Sequence, residues 1–286
     1  MHTTKFQILS DLHLEIDPSA SSYHRFTIPA RAPHLALLGD IGTIVTDDAT
    51  TPQDPITGPL ATFLRRQLTQ FQTVFFVPGN HEPYHSRWDS VNLFFDRFQA
   101  GLASYRAECE QPGEELGEFV YLHKGRYDFE EEPITVLGCT LFSRIENSMF
   151  DRMKMGLNDF HLTTAWTPRQ HAMAHAEHLA WLNERVGELE GSGRKVVVFT
   201  HHCPTVDERA VEPRHRGSVL QSGFLTDLSA ERCWTSRDVR LWAFGHTHWN
   251  CDFVDGMGKR VVANQKGYDF EGRGSQGWDP EKVVEV

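Results

Sequence analysis

The chain has 286 residues, 40% of them hydrophobic and 23% charged, the composition of a folded globular protein rather than a disordered one. Lys and Arg number 28 against 39 Asp and Glu, a net charge of −11 with no basic run, which disfavours a protein that tracks nucleic acid by neutralising phosphates. There is no apolar run of signal-peptide or membrane-helix length, and Cys109, Cys139, Cys203, Cys233 and Cys251 are scattered without CxxC spacing, so a reduced, cytoplasmic protein with no membrane partner is expected.

Taken in chain order, the first strand signal is "FQIL" (6–9), followed at once by Ser10-Asp11-Leu12-His13. "HLALL" (34–38) leads into Gly39-Asp40, and a Pro-, Asp- and Thr-rich surface loop covers 46–59. A helical pattern near 60–71 precedes "TVFFV" (73–77), whose end carries Asn80-His81-Glu82, and a second runs over about 88–105. "ITVLG" (134–138) is followed by a helix over about 167–190 with His171, His175 and His178 at i, i+4 and i+7. "KVVVF" (195–199) ends in Thr200-His201-His202, and a long polar loop fills 204–223. "VRLWAF" (239–244) gives way to Gly245-His246-Thr247-His248, and "RVVAN" (260–264) is the last strand signal. Continuous apolar runs of this kind are strands buried on both faces, and their alternation with helices predicts a layered α/β fold, here one domain over 1–286.

The residues just beyond the strands carry the chemistry. Five strand ends deliver polar residues, and ligands of open α/β sheets bind in the crevice outside the carboxyl ends of the strands. Asp11, His13, Asp40, Asn80, His201, His246 and His248 supply two carboxylates, one amide oxygen and four imidazoles. That mixed oxygen and nitrogen set suits Mn, Fe, Zn or Co, and its size suits two ions sharing a bridging carboxylate and a bridging hydroxide. Residues i and i+2 of an extended segment point the same way, so His246 and His248, or Asp11 and His13, can face one site. Gly39 and Gly245 are expected to permit the bends beside them.

The blocks "DLH" (11–13), "GD" (39–40), "GNHE" (79–82), "THH" (200–202) and "GHTH" (245–248), in that order, resemble the calcineurin-like metallophosphoesterase superfamily. "LGCTLFS" (137–143), "NDF" (158–160), "SGFLTDL" (222–228) and "ANQKGY" (263–268) are similar to a small fungal and bacterial subgroup of it. The resemblance implies an α/β four-layer α/β/β/α sandwich, two mixed sheets packed face to face and flanked by helices. It assigns Asp11, His13 and His248 to a first metal, Asn80, His201 and His246 to a second, and Asp40 to the bridge. His81 is then the general acid or the stabiliser of developing charge, and the nucleophile is a metal-bridging hydroxide. The implied activity is a phosphodiesterase or broad phosphatase on small phosphoesters. The alternatives are a nuclease of the same superfamily, which the acidic balance disfavours, and a non-catalytic module of the same fold.

Asn80, His81 and His202 are the candidate substrate contacts, although alternation along a strand end turns His202 away from His201. Glu82 is expected to hold the Asn80-His81 turn by hydrogen bonds. The three helical histidines read as a solvated or half-buried face, since no acidic partners accompany them. Tyr84, Arg144, Arg216 and Tyr268 read as loop-packing or surface residues near the rim, and the 204–223 loop is where specificity is sought.

Overall fold

A computed structural model describes residues 3–16, 21–45, 52–108, 116–268 and 274–286. Among them eleven strands form: β1 (Lys5–Leu9), β2 (His34–Leu38), β3 (Thr73–Val77), β4 (Glu118–Tyr121), β5 (Gly125–Asp128), β6 (Ile134–Cys139), β7 (Lys195–Thr200), β8 (Val239–Phe244), β9 (Cys251–Val254), β10 (Arg260–Ala263) and β11 (Val283–Glu285). They build a five-stranded sheet, β11-β1-β2-β3-β4, and a six-stranded sheet, β5-β6-β7-β8-β10-β9. Both are mixed: β1 to β4 run parallel with β11 antiparallel, and β6, β7, β8 and β10 run parallel with β5 and β9 antiparallel at the edges.

The period of two along a buried strand sends its side chains into different layers. In β3, Phe75 and Val77 join Phe6 and Ile8 of β1 and Val197, Phe199, Leu241 and Ala243 of the other sheet in the core between the sheets. Val74 and Phe76 point outward against Phe63 and Leu64 of α2 (Pro59–Leu68), which follows the short α1 (Ser21–Arg25), and against Phe95 and Phe98 of α3 (Trp88–Glu108). On the far side Val196, Val198, Trp242 and Phe244 pack on Leu182 and Val186 of α4 (Pro168–Leu189). The result is the expected four-layer sandwich. Cys109 and positions 46–51 of the predicted loop lie outside the described residues.

The register brings the carboxyl ends of the parallel strands to one rim. Leu38 pairs with Val77 and Phe199 with Ala243, so the loops after β2, β3, β7 and β8 leave at one level. Backbone bonds tie the two sheets there: Lys266 and Gly267 donate to the carbonyls of Ser10 and Asp11 at 3.0 Å.

His171, His175 and His178 depart from their expected exposure. They are 0%, 3% and 3% exposed, on the inward face of α4. Their partners are backbone groups of the irregular segment after β6, where Leu141 and Phe142 adopt φ of 68° and 54°. The Leu141 amide donates to His178 Nδ1 at 3.2 Å, the Ser143 amide to His171 Nε2 at 3.0 Å, and His175 Nδ1 donates to the Leu141 carbonyl at 3.1 Å. A buried segment outside any ladder must find partners for its peptide groups, and the helix supplies imidazoles for that purpose.

Candidate active site

The residues singled out at the strand ends converge on one cleft. Asp11 and Asp40 are 0% and 1% exposed, and His13, Asn80, His201 and His246 are all buried. Two groups of donor atoms, each within 4.8 Å of one another, form side by side: Asp11, His13 and His248, and Asp40, His201 and His246. A third group joins His13, Glu15 and His81.

The backbone there is not extended. Asp11, His13, Asp40, His246 and His248 have φ of 53°, 48°, 54°, 73° and 51°. The left-handed region costs a non-glycine residue about 1–2 kcal/mol. Each pair spaced i, i+2 does turn toward the rim, but through left-handed bends rather than strand alternation, and His246 and His248 reach neighbouring clusters rather than one. Such conformations persist where the surroundings over-determine them. The His246 amide donates to both Asp11 oxygens at 3.1 and 3.0 Å, and the His81 amide donates to Asp40 Oδ1 at 2.8 Å. Glu82 does the same for the loops, accepting from the amides of Gly79, Asp40 and Ile41 at 2.6, 3.1 and 2.9 Å. Burial first, and then the Asp40 charge, push the Glu82 carboxyl up to about 7.

The two glycines act differently. Gly39 has φ of 87°, and a Cβ there would lie 2.4 Å from His201 Nδ1. Gly245 has no unusual φ; its role is space, since a Cβ would lie 2.5 Å from Ser10 Oγ and 2.7 Å from Asp11 Oδ2.

The donor set fits divalent cations. His13 Nε2 and His248 Nε2 face each other at 3.0 Å, and His248 Nε2 lies 3.3 Å from Asp11 Oδ1, so two imidazoles and a carboxylate aim at one point. His201 Nδ1 must donate to the Leu38 carbonyl at 2.8 Å, which leaves Nε2 facing Asp40 Oδ1 at 3.4 Å and Asn80 Oδ1 at 2.9 Å. His246 Nε2 is buried with no partner among the described residues. An orphaned imidazole nitrogen beside a carboxylate is what an ion would complete. Without one, burial works against a charged His201, yet Asp40 outweighs it and lifts the imidazole to about 9.

His81 sits at the cleft edge, its Nδ1 2.8 Å from Glu15 Oε1 and its Nε2 3.2 Å from the Tyr268 hydroxyl. Burial disfavours its charge, but Asp40 and Glu15 together raise it to about 10. Its ring packs 4.2 Å from that of Tyr84. Glu15, Tyr84 and Tyr268 thus belong to the site, as does Asp159, which lines the cleft and accepts from the Tyr84 hydroxyl at 2.6 Å. Glu15 carried a signal in its i+2 spacing from His13; Asp159 had only its place in the "NDF" block.

His202 does not reach the cleft, which corrects its expected substrate contact. It is 0% exposed, stacked 4.1 Å behind His246, and absent from the cleft lining. Arg144 lines a separate groove, and Arg216 is paired with Glu208 at 3.1 Å on the surface. Cys203 is buried and bonded to the Thr205 carbonyl.

The cleft has a volume of about 510 Å³. One end holds Asp40, Asn80, His81, His246 and His248, and the rest runs between residues 156–159 and the 204–223 loop. That loop is a series of short 3-10 turns, and with the residues just after it gives the cleft Val211, Leu220, Phe224 and Leu225 beside the polar Glu212, Ser218 and Gln221, with Leu157 packed in one cluster with Leu220 and Phe224. Arg214 and His215 stand at the mouth, both paired with Glu212.

Residues 4–250 match the family model described as calcineurin-like phosphoesterase. The chain is 24% identical over 280 residues to an uncharacterized protein of Acanthamoeba polyphaga mimivirus, covering 92% of this chain and 91% of that one. Among solved structures it is similar to a phosphopantetheinyl hydrolase from Mycobacterium tuberculosis, with 15% identity, a TM-score of 0.65 and coverage of 99% of this chain and 96% of that one. It also matches a dimetal phosphatase from Danio rerio, with 16% identity, a TM-score of 0.48 and coverage of 92% and 87%. No described helix is long and apolar enough to cross a membrane. With the family model spanning most of its length and the acid and histidine clusters in place, the chain belongs to the calcineurin-like phosphoesterases, a family of metal-dependent phosphoester hydrolases.

Proposed function

We propose that this chain is a dinuclear hydrolase of small-molecule phosphoesters, a phosphodiesterase or broad phosphatase, contained in one domain and acting in the cytoplasm. The observation that carries the reading is the pair of adjacent donor clusters bordering a cleft whose exposed lining is mainly apolar. Asp11, His13 and His248 would hold one ion, Asn80, His201 and His246 the other, with Asp40 between them. Mn, Fe or Zn all accept such ligands. When bound, two such ions supply Lewis acidity toward phosphate oxygens and lower the pKa of a bound water.

The chain's own residues do the rest. Asp40 and the left-handed loops fix the donors in advance, so no reorganisation is needed when substrate arrives. His81, protonated and held by Glu15 through Nδ1, presents Nε2 to the cleft, where it can give its proton to a departing alkoxide. Tyr268 borders that nitrogen, its hydroxyl 3.2 Å away. The wall of Val211, Leu220, Phe224 and Leu225 favours an ester group with apolar or aromatic surface, and the cleft volume falls in the range of small-molecule sites.

Turnover of 2-phenylethyl, 2-naphthylethyl and glycerol esters, whose alkoxide leaving groups are of similar basicity, each as mono- and diester with added manganese, tests this reading. The aromatic esters should be preferred by about tenfold in kcat/KM, the discrimination a modest apolar contact gives. Equal use of glycerol esters would remove the apolar-wall reading, and no turnover of any ester would contradict the phosphoesterase reading.

A further inference from the structure

An asparagine differs from a carboxylate in one respect that matters at a metal: only one of its two terminal atoms can bind a cation. Asn80 can serve the second cluster through Oδ1 alone, so some group must decide which way its amide faces. In the structure Asn80 Oδ1 faces His201 Nε2 at 2.9 Å, while Nδ2 donates to Asp159 Oδ1 at 2.9 Å and to the Tyr84 hydroxyl at 3.1 Å. Tyr84 spends its only proton on the same Asp159 oxygen, at 2.6 Å. A carboxylate accepts, and the tyrosine oxygen has no proton left, so both neighbours demand the NH2 end of the amide. A reversed amide would set its oxygen against the carboxylate in a buried site, with its NH2 toward the cluster. Asp159 and Tyr84 are each 5% exposed, which leaves water little room to substitute for either.

We infer that Asp159, seconded by Tyr84, is a positioning residue that fixes Asn80 Oδ1 toward the Asp40, His201 and His246 cluster and so sets that cluster's affinity for its cation. The inference rests on reading the clusters as metal sites. Asp159 opens a short helix, Asp159–Leu162, directly after the cleft residues Gly156, Leu157 and Asn158, so one segment both walls the cleft and orients a ligand across 79 positions of sequence.

Manganese titration of the full-length, metal-free protein tests it, with calorimetry for the binding steps and electron paramagnetic resonance for the coupled pair. Wild type should show two steps. Asp159→Leu should keep the first and weaken the second by about 10- to 100-fold, the usual effect of losing a residue that orients a ligand, and the coupled signal should fade accordingly. The double variant Asn80→Asp, Asp159→Asn should recover the second step, because a carboxylate at position 80 offers an oxygen whichever way it turns and the new amide can donate to it. Wild-type-like binding by Asp159→Leu would overturn the inference, as would equal loss of both steps in both variants, which is the mark of a merely structural role. Wild type taking up no manganese would overturn the metal reading and the inference with it; wild type taking up two ions while the variant does too would remove the inference alone.

Discussion

His201 and His202 are consecutive in the chain, both fully buried, and opposite in chemistry. Burial disfavours charge on both. At His201 the Asp40 carboxylate, 3.4 Å away, reverses that and raises the imidazole to about 9; at His202 the neighbours are the rings of His246, His171 and Phe142, and burial followed by His246 holds it well below its usual value. The contrast extends to two sets. His13, His81, His201, His246 and His248 lie on strand-end loops among Asp11, Glu15 and Asp40, and all but His248 are buried, whereas His171, His175, His178 and His202 fill space behind them with no carboxylate in contact among the described residues. The lesson is that a carboxylate partner lets a buried imidazole such as His81 or His201 keep its charge, whereas His246, placed in a donor cluster but with no partner on its ring Nε2 among the described residues, is held down to about 3 as the packing histidines are.

That contrast can be broken most sharply from the acidic side. Asp40→Ala should release both ions and lower turnover by more than about 10³-fold, since it removes more than a single stabilising donor; elemental analysis beside steady-state kinetics reads both, and retained metal would contradict the shared role. Next in size, His81→Ala should keep the metal content and lower kcat by about 10²- to 10⁴-fold, as the loss of a general acid does; a fully active variant would move His81 out of the chemistry.

The packing set predicts an acid-side instability. Burial lowers His171 to about 3, with the His175 charge acting in the same direction, so between pH 6.5 and about 3 the unfolded chain binds a proton that the folded chain refuses. Stability should fall as the pH drops through that window, and His175, His178 and His202 are shifted in the same direction. Within the site set the signs divide: burial lowers His13 and takes His246 to about 3, as in the packing set, whereas His81 and His201 have the opposite sign. His81 and His201, raised to about 10 and 9, stabilise the metal-free protein fully below pH 6.5 and lose that contribution as the pH rises through those values. Thermal melts of metal-free protein from pH 4 to 10 should therefore decline at both ends, and His171→Gln should flatten the acid limb alone. The smallest effect is expected at His202, whose two ring nitrogens have no partner among the described residues. His202→Leu should change stability by less than about 1.5 kcal/mol, as volume-conserving core swaps do, and leave turnover unchanged; a large loss of activity would erase the distinction between the neighbours.

Sequence made the interior of both sheets readable because strands buried on two faces are unbroken apolar runs, and each of the seven expected strands is present. The four strands it did not reveal, β4, β5, β9 and β11, are the four sheet edges. Edge strands are short and half-exposed, with burial alternating in β5 and β9, so no apolar run marks them. The donor residues were legible because each comes just after a strand. Asp159 was not legible as a partner of Asn80, since a contact across 79 residues leaves no spacing to read, and Tyr84, only four residues beyond Asn80, is turned onto the amide by a loop that exists only in the folded chain. Nor could helical spacing tell that His171, His175 and His178 face inward, because their partners are peptide groups of Leu141 and Ser143, whose left-handed surroundings exist only in the folded chain.

The most direct test is the metal stoichiometry of the purified protein, measured together with turnover of aryl phosphoesters in wild type and in Asp40→Ala. About two ions per chain in wild type, lost together with turnover in the variant, is the result expected of two clusters sharing Asp40. A wild-type protein that turns over esters without bound metal, or an Asp40→Ala variant that keeps both ions and its rate, would contradict it.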